Sequence, residues 1–194
     1  MKNLQTRIKT DLVTEPVTSV EAKLFCKITG SAEDTLITIL ISAARKALEK
    51  YTASSFAEKT IYATWVDLPE DNLLEIPYGP VISIDAVYWI DEEGTEELAV
   101  LNTDYWVYGD QDATVKMTTL WTTGLKNTSS VRVEYKAGYG HANTETLPTD
   151  LKLAIMKEIV TQYEMRENIS SDGGVTLSNA SKRLADPYRK KLWF

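Results

Sequence analysis

Histidine and cysteine are almost missing from this 194-residue chain, which has one of each, His141 and Cys26. One cysteine excludes an intramolecular disulfide and any zinc site built from several cysteines of a single chain. Cys26 is therefore expected as a small, half-buried apolar residue on a helix. One histidine leaves little of the side chain that most often serves as a base near neutral pH. His141 directly follows Gly138-Tyr139-Gly140 and reads as a solvent-exposed turn residue. No apolar run is long enough to span a bilayer, and Met1-Lys2-Asn3-Leu4-Gln5 lacks the apolar segment of a signal peptide. A protein made and used in a cytoplasm, with no membrane partner, is the expectation. A Gly-x-Ser-x-Gly elbow and a Gly-x-x-x-x-Gly-Lys-Ser/Thr loop are both absent, and Gly138-Tyr139-Gly140 does not complete Gly-x-Gly-x-x-Gly. No catalytic, cofactor-binding or metal-ligating residue is assigned, and the chain does not read as an enzyme. There is no internal repeat and no low-complexity tract.

What is present suits a globular protein. Hydrophobic residues make up 43% and charged residues 25%, enough for a core without disulfides and for one domain, or one domain with a large insertion. The net charge of -7 argues against a protein that wraps nucleic acid. Its distribution is uneven. Ser55 to Gly140 holds 15 acidic and 5 basic residues, whereas Lys182, Arg183, Arg189, Lys190 and Lys191 face only Asp186 near the end.

Residues 1–17 are polar and read as a flexible arm. Thr18-Ser19-Val20-Glu21 has the form of a capping box, opening a short helix through Ile28 that Gly30 is placed to stop. Ser31-Ala32-Glu33-Asp34 opens a longer helix. Its apolar arc runs from Leu36 to Tyr51, with Asp34, Thr38, Ser42, Arg45 and Glu49 on the opposite, polar side. The period then changes. Strands are expected at Thr60–Val66, Leu73–Pro77, Val81–Ile90, Glu97–Val100, Tyr105–Tyr108, Thr114–Met117 and Val131–Tyr135, mostly antiparallel because the connections are short. Leu147-Pro148-Thr149-Asp150 restarts helix, to about Arg166 or Glu167. Ser178–Leu184 reads as a last short helix limited by Pro187. The fold class is α+β: a small helical bundle (18–54 and 147–186) with a large antiparallel β-rich insertion (55–146) between its second and third main helices, and an extended C-terminal tail (187–194).

Two surfaces are candidates for contacts. Apolar residues cover more than half the circumference of the late helix, so one side is expected to meet the second helix and another, through Leu153, Met156, Val160 and Tyr163, a neighbouring subunit. The tail sets Trp193 and Phe194 behind basic residues, the composition of an interface anchor, with a nucleic-acid contact as the competing idea. Asp91, Glu92, Glu93, Glu96 and Glu97 form an acidic cluster without the spacing of a calcium loop and read as a solvated hairpin tip. Trp65, Trp89, Trp106 and Trp121 read as core, although a row of them would make a carbohydrate- or surface-binding module, the alternative function. A small hydrolase using the carboxylates of the hairpin is a further rival.

Four segments together resemble the head–tail connector, or adaptor, proteins of tailed double-stranded DNA phages. They are Val17-Thr18-Ser19-Val20-Glu21-Ala22-Lys23 with Glu33 through Thr52, Pro80 through Asp91, Val131 through Gly140, and Leu147-Pro148-Thr149-Asp150-Leu151-Lys152 leading to Tyr163 and Arg166. The likeness spans about Val13 to Tyr188. It implies a structural virion protein at the neck, assembled in the host cytoplasm as a closed ring, typically of 12 copies, below the portal. The implied partners are other copies, the portal, and a tail-proximal connector, stopper or tail protein. DNA is passing cargo, without sequence-specific binding. The resemblance implies docking of the C-terminal segment on the portal, here Arg183, Tyr188, Arg189, Lys190, Lys191, Trp193 and Phe194. It carries over no catalytic residue and no cofactor.

Overall fold

A computed structural model describes residues 4–11, 14–66, 68–91, 93–118, 128–140, 146–165 and 177–190. The elements run β1 (Leu4–Thr10), α1 (Ser19–Cys26), α2 (Asp34–Thr52), β2 (Lys59–Val66), β3 (Leu73–Glu75), β4 (Val81–Asp91), β5 (Glu96–Leu98), β6 (Tyr105–Tyr108), β7 (Thr114–Met117), β8 (Thr128–Ala137), α3 (Thr149–Glu164), α4 (Asn179–Ala185) and a 3-10 turn (Asp186–Tyr188). The expected α+β class, helices enclosing an antiparallel β insertion, is the observed one.

The β elements form a five-stranded sheet, β1-β2-β8-β4-β5, and a three-stranded sheet, β3-β7-β6, with every strand pair antiparallel. Alternation decides which face is buried. On β2, Ile61, Ala63 and Trp65 point inward, and on β8 Val131, Val133, Tyr135 and Ala137 do the same. Leu74, Val115 and Met117 of the small sheet complete this core. The Tyr135 hydroxyl donates to the Pro77 carbonyl at 2.6 Å, and burial pushes its pKa upward. The sequence of β4 predicts alternation throughout. Register shifts against β8 at Val81/Ser83, Ile84/Ala86 and Ile90/Asp91 interrupt it, so Val81, Val87 and Trp89 are buried while Ser83 and Asp85 between them are not.

The helices enclose a second core, centred on Ile37, Ile41 and Leu48 of α2, Leu151, Ile155 and Ile159 of α3, and Ala185 of α4. The capping box of α1 is present: Thr18 Oγ1 accepts from Glu21 N–H at 3.2 Å, and Glu21 accepts from Thr18 N–H at 2.9 Å. Glu21 also receives Lys152 of α3 at 2.5 Å. That ion pair, with the two bonds from Thr18, holds its carboxyl at a pKa of about 2. Because the folded value is depressed, the stabilisation is complete above the ordinary value of about 4.5 and lost as pH falls toward 2. Denaturant unfolding at pH 6 and at pH 2.5 is expected to show Glu21→Gln less stable than the parent, by clearly more at the higher pH.

Three expectations need correction. The stretch read as a flexible arm contains β1, held along one edge of β2 from Leu4↔Trp65 to Thr10↔Thr60. Helix α1 ends earlier than Ile28, at Cys26, because Lys27 takes the left-handed conformation at φ 58° and its N–H returns to the last turn; Gly30 serves the following turn. Pro187 does not start an extended tail. It sits in the 3-10 turn that continues from α4, where its fixed φ is accommodated. The end of the late helix beyond Met165, at Arg166 and Glu167, lies outside the described residues.

Gly138 connects β8 to the helical layer at φ 145°, and a Cβ there would lie 2.3 Å from the Ala57 carbonyl carbon and oxygen. Only glycine lets these backbones approach so closely. Gly138→Ala is expected to cost at least about 2 kcal/mol, readable as a lowered denaturation midpoint with an unchanged slope.

Candidate assembly surfaces

The two cores meet at a buried ionic cluster. Arg45 and Glu49, assigned by helical periodicity to the polar side of α2, are buried because the β layer covers that side. The Arg45 guanidinium donates to Glu49 at 2.7 Å and to Glu15 at 2.8 Å, and Glu49 also receives Lys59 at 2.5 Å and the Phe56 N–H at 2.8 Å. Burial alone would lower the pKa of Arg45; the carboxylates of Glu15 and Glu49 more than offset it and hold the value above its ordinary range. A cleft of about 440 Å³ opens beside the cluster, between β1 and α2, lined by Ile8, Asp11, Lys46 and Lys50 among others. The cluster fixes one layer on the other. Its carboxylates are already committed to buried cations, so it offers no open ligand set.

The root of the C-terminal segment packs on its own subunit. Tyr51 of α2 donates to Asp186, and Arg189 lies over the Tyr51 ring, 5.2 Å from its centroid. Tyr188 is half-buried against the helical core, with its hydroxyl 3.4 Å from Asp150. The Lys190 N–H donates to Thr52 at 2.9 Å, and its ammonium pairs with Asp112 of the β6–β7 connection. Arg183 is exposed. The structure thus places Tyr188, Arg189 and Lys190 in and just after the turn that follows the helix carrying Arg183; Lys191, Trp193 and Phe194 lie outside the described residues.

On α3, Leu153, Met156, Val160 and Tyr163 are all half-buried. Met156 and Tyr163 pack against the helical core, and the Tyr163 hydroxyl donates to Glu33 at 2.5 Å. Larger apolar exposure occurs where periodicity does not anticipate it. Val20 and Leu24, one turn apart on α1, are 74% and 80% exposed, near Phe25, and Ile39 of α2 is 60% exposed. On the β layer, Leu98, Val100, Leu101, Trp106, Val107 and Tyr108 are exposed in and around β5 and β6. The signal is available in the sequence. Val20 and Leu24 share a face of a short helix, and Tyr105-Trp106-Val107-Tyr108 is apolar at every position.

The acidic cluster is a hairpin tip. Asp91 Oδ1 accepts from the N–H groups of Glu93 at 3.0 Å and Thr95 at 2.7 Å, and Glu96 pairs with Arg132 at 2.5 Å; Glu92 lies outside the described residues. Among the described residues no group of three or more histidine, cysteine or acidic side chains is arranged to hold a metal ion, and no helix is long and apolar enough to cross a membrane. Trp65 and Trp89 are core and Trp106 is exposed, so these three form no common face. Trp121 and His141 lie outside the described residues. Cys26 is half-buried, and burial, then the nearby Glu164, raises its thiol pKa.

Residues 20–99, from α1 through β5, match the family model described as Phage gp6-like head-tail connector protein. Over that stretch the chain is similar to the phage head–tail connectors. The connector-like stretch carries both apolar surfaces in part, including Val20, Leu24, Ile39 and Leu98, while α3 and the tail root lie beyond it. In three dimensions the whole chain is similar to a chain in the neck of an empty GTA particle computed with C6 symmetry, at TM-score 0.72 and 21% identity over 95% of each chain. A chain from the virion of a native gene transfer agent particle aligns at TM-score 0.70 and 19% identity, over 95% of this chain and 94% of that one. One from the neck of the native particle computed with C12 symmetry aligns at TM-score 0.62 and 19% identity, over 94% of each chain. At these identities the likeness establishes the fold, and it does so over nearly the whole length. No curated protein sequence matches this chain significantly.

Proposed function

We propose that the chain is a non-enzymatic adaptor of a tailed, phage-like particle, whose copies close into a ring between portal and tail with DNA passing through the centre. The observation that carries this reading is apolar surface left in water on two different layers, Val20 and Leu24 on the helices and Leu98 through Tyr108 on the strands. A subunit that joins its neighbours head to tail needs two unlike patches, and a rotation that closes makes a ring. The neck particles of the similar structures were computed with six- and twelve-fold symmetry, which supports a copy number of 12 here. The half-buried face of α3, through Leu153, Met156, Val160 and Tyr163, is assigned to a subunit contact. The C-terminal segment is assigned to the portal, and the opposite side of the ring to a tail-proximal protein. Electron microscopy of the chain mixed with its portal is expected to show one added ring of density on the portal. Portal rings that remain bare at saturating chain would overturn the reading.

A further inference from the structure

The five-stranded sheet ends in two open edges of opposite charge. Its order places β1 at one end and β5 at the other, four inter-strand steps apart, a separation of about 19 Å at the usual strand spacing. Edge β1 carries Arg7 and Lys9, the latter paired within the chain with Glu134 of β8 at 2.5 Å, and is exposed from Gln5 to Thr10. At the other end β5 carries Glu96, already paired with Arg132, and Glu97; every residue of it is exposed, and Glu93 lies in the turn before it. Among the described residues no further strand pairs with either edge. Trp106, Val107 and Tyr108 of β6, the next strand in the chain, are exposed as well.

Open sheet edges are a hazard that folded proteins blunt or cover, because their unpaired backbone groups invite another chain. Charged side chains alone would blunt both edges. The division of sign does more than that. Two β1 edges repel each other, as do two β5 edges, while β1 against β5 attracts. This pattern disfavours the two-fold contact of like edges and favours a heterologous, head-to-tail contact, the kind a ring requires. Both edges also present side chains on one common face. The register rows Gln5↔Thr64, Thr64↔Arg132, Tyr88↔Arg132 and Tyr88↔Leu98 put Gln5 and Leu98 at opposite ends of a single cross-strand row.

Resting on the ring reading above, we infer that neighbouring copies meet edge to edge, the basic β1 edge of one copy lying along the acidic β5 edge of the next. The occupant of each edge is a second copy of this chain. In a Cys26→Ser background, two single-cysteine variants, Gln5→Cys and Leu98→Cys, are purified, assembled on portal rings and treated with a short bismaleimide. An equal mixture is expected to give cross-linked pairs, and either variant alone to give almost none. Separately, Arg7→Glu is expected to raise the concentration for half-assembly at least about tenfold at low salt, and that loss to shrink as salt is added. Thermal unfolding of each variant checks that the monomer is intact. Rings that form normally yet give no cross-link in the mixture, or that cross-link equally with one variant alone, overturn the edge contact and leave the ring reading standing. Parent chains that never add a ring to the portal overturn both.

Discussion

Glu49→Ala is expected to destabilise the folded chain by roughly 3–5 kcal/mol, a large share of the stability of an ordinary domain. Glu49 is the acceptor for three buried donors, Arg45, Lys59 and the Phe56 N–H. Its removal leaves Lys59, itself buried, without its carboxylate, and leaves Arg45 to Glu15 alone. An uncompensated buried charge costs far more than a lost surface pair. Equilibrium unfolding in urea checks the size of the effect. A companion variant separates charge from packing: Arg45→Met, Glu49→Leu and Lys59→Met together remove every partner at once and are expected to restore much of the stability, since buried ion networks are often replaceable by apolar groups of similar volume. If Glu49→Ala unfolds within about 1 kcal/mol of the parent, the cluster does not hold the two layers together.

That cluster also marks where sequence stops informing on structure. Periodicity reads the α2 helix and its apolar stripe correctly at Ile37, Ile41, Ala44 and Leu48. It puts Arg45 and Glu49 in water because a single helix carries no information about a second layer on its polar side. The strands with buried faces, β2, β4 and β8, are legible from β-branched and aromatic composition. β1 is not, because six of its seven residues are exposed and its stability comes from backbone pairing with β2, which leaves no hydrophobic pattern to read. Helix ends at Lys27 and Ala53 are equally hidden, since both adopt left-handed conformations that composition associates with glycine. The candidate surfaces divide in the same way. The half-buried face of α3 follows from its width, whereas the patch at β5 and β6 depends on which strands end a sheet, a property of topology.

Deleting Lys191–Phe194 is expected to leave a folded subunit that binds the portal at least about 100-fold more weakly. The size follows from the residues lost: a buried aromatic anchor contributes about 2 kcal/mol or more to an interface, two are removed with a basic residue, and each 1.4 kcal/mol is about tenfold in affinity. The structure sets where to cut. Tyr188, Arg189 and Lys190 touch Asp150, the Tyr51 ring, Thr52 and Asp112 of their own subunit, so removing them would disturb the ends of α2 and α3 along with any partner contact. A deletion from Tyr188 onward is therefore expected to lower the unfolding midpoint, and one from Lys191 onward to leave it unchanged. Trp193→Ala alone should reproduce most of the loss with little dependence on salt, because an aromatic anchor acts by burial. Arg183→Ala, at an exposed position, should weaken binding mainly at low ionic strength. Undiminished capture of portal rings by the chain ending at Lys190 would remove the C-terminal segment from the docking surface and move that role to the helices that frame it.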